Sequence, residues 1–500
     1  MLVAAALKGY RVVRRRPVAR HFSDRQRRWL PLLALALALG ACAGLPPSAN
    51  QTSTAASLTA PSQWQAPLPH GGQLTDLSHW WQQFNDPLLT QLIDAAQALS
   101  PTLAAAQSRI AQARAAQVAA GAALGPTLNA SFSASRGRQD LSLPLGSSTS
   151  AGLQAAWELD LFGGNAAGRD AAQARLSGAQ ASWHEARVSV AAEVAGAYLA
   201  LRACEAQLAQ TQLDASSRAE TARLTELATR AGFQTSATAA LARASAAQGS
   251  SLLTQQRAQC DLGVKSLVAL TGLAEPALRS QLAGGSAQLP QPAQIAVSSV
   301  PAEVLAQRPD LFNAARQVLA ASADLSQSQA QRYPRIVLSG NIAAARFASA
   351  AGTLDDTLWS LGPVSVSLPL FDGGARRANV EAARARYREA GANYAARLRT
   401  AVREVEEALI TLQSTAARSG DAQVASAGFA VSYRATEARF KGGLASLFEL
   451  EDARRSLLQA QSTLIELQRE RVAAWISLYR ALGGGWTAEA PAAAQAASQD

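Results

Sequence analysis

This chain of 500 residues has little of what catalysis usually needs. It contains no P-loop, no G-x-S-x-G and no H-E-x-x-H. Past residue 41 its histidines are His70, His79 and His184, scattered along the sequence. Lysine occurs only at Lys8, Lys265 and Lys441. The cysteines are Cys42, Cys204 and Cys260, in neither a C-x-x-C nor a metal-binding spacing. These absences argue against an enzyme, and they predict no catalytic residue, no cofactor and no metal site.

Long apolar runs are missing too. Leu30 to Leu39 is too short to span a bilayer as a mature helix, and no later segment is apolar enough for long enough. With Arg25, Arg27 and Arg28 ahead of it, that run reads as an export signal covering residues 1–41. An exported protein without a spanning helix is periplasmic, lipid-anchored or a β-barrel. Net charge is the last absence. The formal +10 comes from 46 basic and 36 acidic residues, but residues 1–41 hold nine of the former and one of the latter. Removing them leaves 37 against 35, about +2, so the sequence predicts no nucleic-acid partner.

What is abundant is repetition. Leu159-Asp160-Leu161-Phe162-Gly163-Gly164 answers to Leu368-Pro369-Leu370-Phe371-Asp372-Gly373-Gly374 about 210 residues later. Glu193-Val194 answers to Glu404-Val405, Arg230-Ala231-Gly232-Phe233 to Phe440-Lys441-Gly442-Gly443, and Leu270-Thr271-Gly272 to Leu482-Gly483-Gly484. A repeated supersecondary unit cannot bury its apolar face alone, so function belongs to what two units build together.

Each unit reads as helix, two strands, a very long helix and a returning helix. The first helix starts at Asp86-Pro87, with Ser100-Pro101 a candidate break, and stops near Leu124. Strands are expected at Leu128–Ala134 and Leu153–Leu161. In the second of these, Leu153, Ala155, Trp157, Leu159 and Leu161 share one face while Gln154, Glu158 and Asp160 share the other. Such alternation suits lipid outside and water inside a barrel, or an ordinary half-buried sheet. Asn165–Ala231 and Ala375–Lys441 contain no proline and keep seams at 3–4 spacing, which predicts helices of roughly 100 Å packed as coiled coils. Returning helices are expected at Thr235–Leu270 and Ser446–Leu482, and the second copy's strands at Ile336–Ala344 and Val364–Leu370. The domain plan is a signal at 1–41, a tether at 42–80, repeat 1 at 81–273, a linker at 274–300, repeat 2 at 301–486 and a disordered tail at 487–500. Four strands per chain cannot close a membrane barrel, so chains must share one, and dimer and trimer both remain open.

Leu39-Gly40-Ala41-Cys42 resembles a bacterial lipobox, which implies cleavage before Cys42 and its lipidation (the palmitate-type acylation of lipoproteins). Together with Trp80-Trp81 through Asp86-Pro87, Arg308-Pro309-Asp310-Leu311, Pro369 to Gly374 and Ala481 to Trp486, the chain resembles the outer membrane factor family. These are the TolC-like ducts, and the closest likeness is to their NodT-like lipoprotein branch. The resemblance implies a mixed α and β membrane fold: a homotrimer with a twelve-stranded β-barrel in the outer membrane, continued by a twelve-helix periplasmic α-barrel. It implies a lipid-anchored passive duct for small molecules in a tripartite, resistance-nodulation-division type efflux system. Its partners would be a periplasmic adaptor (membrane fusion) protein, an inner-membrane pump and outer membrane lipid. A type I protein secretion duct and a lipid-anchored coiled-coil scaffold are the alternatives.

The family's acidic entrance residues fall on Glu449 and Asp452, spaced i to i+3 on one helix face. Threefold symmetry would stack them as two carboxylate rings that attract cations. Some family members carry an arginine that holds the entrance shut, and Ala445 stands in its place here. The turns resemble adaptor-docking tips, with Arg230, Gly232 and Phe233 in the first and Gly442, Gly443, Leu444 and Ser446 in the second. Cys204 and Cys260 each lie 28 residues from Gly232, about 42 Å above that turn on opposite arms. Equal height permits a disulfide without requiring one.

Overall fold

A computed structural model describes residues 64–65, 77–138, 145–290, 305, 307–350 and 352–486. The expected signal, Cys42, most of the tether and the tail lie outside the described residues. A 3-10 helix (Leu77–Phe84) comes first, and two short α-helices follow, α1 (Pro87–Leu99) and α2 (Pro101–Ala122). Each starts with proline in its first turn, where no amide is needed. The Asp86 carboxylate accepts the amides of Leu88 and Leu89 at 3.1 and 3.2 Å, and the Ser100 hydroxyl accepts that of Leu103 at 3.3 Å. The expected break is therefore a second N-cap. β1 (Thr127–Gly137) and β2 (Gly146–Leu159) follow.

Next come α3 (Gly164–Arg230), α4 (Ser236–Thr271) and a nine-residue α5 (Glu275–Ala283). α5 falls inside the stretch expected to be a plain linker. Its leucines explain the difference, because Leu278 and Leu282 are buried in the main core. The second unit runs α6 (Pro309–Ala330), β3 (Arg335–Ser349), β4 (Gly352–Ser367), α7 (Ala375–Lys441) and α8 (Leu447–Ala481). β4 begins twelve residues before the expected Val364 and ends before Leu368. Leu354, Leu358, Trp359 and Leu361 belong to it, whereas Pro369 lies past its end.

The repeat is metrical. α3 and α7 each contain 67 residues, so each extends roughly 100 Å. Both start behind a left-handed glycine, Gly163 at φ +70° and Gly374 at φ +90°. An aspartate covers each start. Asp160 accepts the amides of Asn165 and Ala166, and Asp372 those of Gly374 and Arg376. α2 and α6 pack beside α3 in the strand-side half of the chain, and α4 and α8 take over those positions in the other half. Four helices thus cross every level, in the order short, long, short, long.

The core sits at mid-height, where α1, α3, α5, α7 and α8 converge. Trp80 is fully buried, with its ring 5.2 Å from Tyr479 and 6.3 Å from Trp475. The Trp80 indole N–H has no hydrogen-bond partner, whereas the buried charged groups beside this core are bonded in chains. The Tyr198 hydroxyl donates to Asp86 at 2.6 Å, and Arg202 donates to Tyr198, Glu205 and the Leu282 carbonyl. Burial, then the Asp86 bond, raises the Tyr198 pKa, so it remains a neutral donor. In the other unit Arg308 donates to Asp310, Glu404 and the Ala481 carbonyl, the last at 2.8 Å, and so caps α8. Burial resists ionisation of Asp310, yet the Arg308 guanidinium still holds its carboxyl below the usual range.

The four strands form one antiparallel sheet in the order β1-β2-β3-β4. β2 and β3 join the two units, with Ala151 opposite Ala344 and Leu159 opposite Ile336. β1 and β4 are left as open edges.

Candidate functional site

The regions with functional character are the two faces of the sheet and the helical end farthest from it. Register assigns the faces. One side carries Leu128, Phe132, Leu153, Trp157, Ile336, Leu338, Ile342, Trp359, Leu361, Val364 and Val366. The opposite side carries Asn129, Ser133, Ser150, Gln154, Glu158, Asn341 and Ser360, among others, and also Phe347, Leu354 and Leu358. Hydroxyls pair across that second side, Ser133 with Ser150 at 2.8 Å and Ser135 with Ser148 at 2.7 Å. Arg335 meets Glu158 there. On the apolar side the large side chains are left largely uncovered, although the Trp157 indole donates to the Leu124 carbonyl at 2.9 Å. Trp359 is 75% exposed and Phe132 73% exposed in the single chain. A soluble sheet would bury such a face, and a lipid-facing one needs no protein cover.

At the other end, α3 reverses into α4 and α7 into α8 through turns built alike. The amide of Phe233 donates to the Ala228 carbonyl at 2.8 Å, and that of Leu444 to the Arg439 carbonyl at 2.7 Å. Gly232 at φ +79° and Gly443 at φ +73° supply the left-handed residue this closure requires. Gly442 is the C-cap of α7 with ordinary φ. Arg230, the last residue of α3, donates to Glu226 at 3.1 Å. Phe233, Leu444 and Phe448 stand 83%, 74% and 72% exposed, which leaves both turns apolar at their tips.

The two acidic residues behind the second turn differ in their bonding. Ser446 is the N-cap of α8 and forms a capping box with Glu449: the Glu449 amide donates to the Ser446 hydroxyl at 3.2 Å, and the Ser446 amide to the Glu449 carboxylate at 2.6 Å. The backbone bond lowers the Glu449 pKa, with the Ser446 hydroxyl second. Asp452, one turn on, accepts from Arg455 at 3.2 Å and is largely solvated. The Ser446-Leu447-Phe448-Glu449 spacing is the sequence signal for the box, and the resemblance to entrance residues had overshadowed it.

Above the turns lies a buried polar cluster that the sequence reading missed. Arg454 is 2% exposed and donates to Glu451, to Ser217 at 3.0 Å, to Thr221 at 3.1 Å and to Tyr433 at 3.4 Å. Arg218 donates to Asp214 at 2.7 Å, to Ser245 at 2.7 Å and to Glu451 at 3.0 Å. Arg454 Nε and Asp214 Oδ1 face each other at 3.6 Å. Two arginines and two carboxylates thereby tie α3, α4, α7 and α8 together. The level is about 16–27 Å above Gly232, given the 11 and 18 residues to Thr221 and Asp214.

Higher still, Cys204 and Cys260 form a disulfide with Cα atoms 5.6 Å apart. Their equal distance from Gly232 brings them level, and the α3–α4 seam turns them toward each other. The Gln256 amide fixes the same place by donating to the Cys204 carbonyl at 3.3 Å. Among the described residues no cluster of His, Cys, Asp and Glu could hold a metal ion.

Comparison with known proteins fits this geometry. The profile of the family described as "Outer membrane efflux protein" matches residues 92–273 and 300–484. The pyoverdine export outer membrane protein OpmQ of Pseudomonas aeruginosa is 30% identical over 481 residues, covering 92% of this chain and 97% of that protein. Nodulation protein T of Rhizobium leguminosarum bv. trifolii is 29% identical, over 83% of this chain and 89% of that protein. The solved structure of the outer-membrane channel OprN superposes with a TM-score of 0.77 at 26% identity, covering 86% of this chain and 98% of that one.

Proposed function

The chain belongs to the outer membrane efflux protein family, and from that premise we propose how it makes a duct. It is an outer membrane channel for efflux. Three copies close one barrel of twelve strands, with the apolar sheet face in lipid and the polar face lining water. The four helices that cross every level of one chain become twelve and continue the barrel as a tunnel of roughly 100 Å into the periplasm. The duct is passive and not an enzyme, with no cofactor.

Residues 1–41 are removed on export. Cys42 carries the lipid and residues 42–80 form its tether, so the trimer is anchored twice. Arg230, Gly232, Phe233, Gly442, Gly443, Leu444 and Ser446 meet a periplasmic adaptor, which connects the duct to an inner-membrane pump of the resistance-nodulation-division type. Glu449 and Asp452 line the entrance. The exposed apolar tips support the docking reading, since a solvated helix end would be polar.

One observation carries the reading: a sheet with one side apolar over most of its height, charged only near its outer end, and with two open edges runs directly into two 67-residue helices. Purified protein added to a planar bilayer should give stepwise conductance from heat-modifiable trimers. Cys42→Ser should abolish acylation while trimers still insert. If the unacylated variant is wholly soluble in the periplasm, the barrel reading is wrong.

A further inference from the structure

The apolar face of the sheet is interrupted at one end only. Its charged strand residues are Arg136, Arg346 and Asp355, and all three lie by the loops farthest from the helices. The register places Arg346 opposite Thr149 and Asp355, and Arg136 one pair further out, opposite Ser147. Arg138 follows just beyond the strand and is exposed. Ten residues along β3 separate Arg346 from Ile336 at the inner end. At about 3.4 Å per residue and a tilt of about 40°, that is a height of about 26 Å, the thickness of the apolar band on such barrels. The arginines therefore sit where hydrocarbon ends and headgroups begin, on the outer side.

A guanidinium on a lipid-facing strand is costly in hydrocarbon and nearly free at the interface. Arg346 has one weak partner, Asp355 at 3.4 Å, and both are about two-thirds exposed. Among the described residues no carboxylate pairs with Arg136 or Arg138. On the lipid-facing side the rim of each chain thus carries Arg136 and Arg346 against Asp355, with Arg138 just beyond β1 and Asp356 on the opposite face, and closure of three chains would repeat this around the barrel. Guanidinium forks match phosphate oxygens in geometry and charge.

We propose that this rim is a binding surface for the phosphate groups of the outer-leaflet glycolipid, with Arg136 and Arg346 as its contacts on the barrel wall. The inference rests on the outer-membrane barrel described above. It assigns the bare outer end of the lipid face to a phosphorylated lipid rather than to a second protein, because the charges form a ring at headgroup height with the apolar band directly beneath.

The test uses purified full-length trimer and two probes, bisphosphorylated lipid A and the same lipid with both phosphates removed, titrated by native mass spectrometry. The wild type should retain the phosphorylated form about thirtyfold more tightly, the factor two arginines near an anionic surface supply. Arg136→Gln with Arg346→Gln should erase that preference, and Arg136→Lys with Arg346→Lys should keep most of it. Inorganic phosphate at millimolar concentration should not compete, because it brings no acyl chains to the apolar band; displacement by it would locate an ion site instead and overturn the lipid assignment. Equal retention of both lipids, or a preference unchanged in the glutamine variant, also overturns the proposal while leaving the barrel intact. A wild type that fails to enter lipid vesicles at all removes the barrel reading together with it.

Discussion

Replacing Arg454 by methionine probes the buried cluster above the turns. The guanidinium is 2% exposed and shares Glu451 and Asp214 with Arg218. Wild type balances two positive charges against two negative ones. The variant leaves Arg218 alone to neutralise both carboxylates, so one buried negative charge loses its partner. Breaking a buried pair in this way costs about 3–5 kcal/mol, and the remaining arginine argues for the lower end, about 3 kcal/mol. Because the cluster ties four helices near their ends, the cost should appear as local opening there rather than in the mid-height core. About 3 kcal/mol corresponds to roughly a hundredfold faster amide exchange in α3 below Asp214 and in the first turns of α8, with α1 and the Trp80 region unchanged. Adding Glu451→Gln restores the charge balance and should recover most of that protection. An Arg454→Met variant that exchanges like wild type, or a double variant no better protected than the single, would refute the charge-balance argument.

The Cys204–Cys260 bond closes a loop of 56 residues, worth about 4 kcal/mol of unfolded-chain entropy; the denatured, unreduced protein should show no reactive thiol, and Cys204→Ala with Cys260→Ala should lower the thermal midpoint of the helical signal. Ser446→Ala should loosen the start of α8 by about 1 kcal/mol, read as faster exchange of its first amides. The Glu449 carboxyl titrates below its ordinary value when folded, so its share of the cap is complete above the unfolded carboxylate pKa near 4.3 and is lost as pH falls through the lower folded value; exchange in that turn should be flat from pH 7 to 5, after correction for intrinsic rates, and rise below 4. Replacing Glu449 and Asp452 together by alanine should reduce cation selectivity in planar bilayers, and unchanged selectivity would assign them to capping and surface solvation alone.

The long helices were legible because nothing else suits 67 proline-free residues with seams at 3–4 spacing. The turns were legible because Gly232 and Gly443 mark positive φ. Strand limits were harder. β2 carries serine on both faces near its outer end, at Ser147 and Ser148, which blurs the period of two, and Leu368-Pro369-Leu370 looks apolar enough to extend β4 past its true end. The polar cluster was out of reach for a different reason. Asp214 and Arg454 are 240 residues apart, and each alone looks like a charge on a solvated helix. Only the approach of α3 to α8 turns both inward, and no local pattern announces it.

The pairing of β2 with β3 has a consequence for how the protein is made. Ala151 and Ala344 are neighbours in the sheet but 193 positions apart in the chain. A ribosome at about 5–20 residues per second separates their synthesis by roughly ten to forty seconds. During that interval the first hairpin has finished its apolar side and has nothing to join. Closing so large a loop is slow, and unpaired strand edges invite misassembly. The first hairpin therefore exists for that interval with its apolar side and inner edge unpaired, so the order of the strands sets how long the chain carries an exposed edge before the sheet can form.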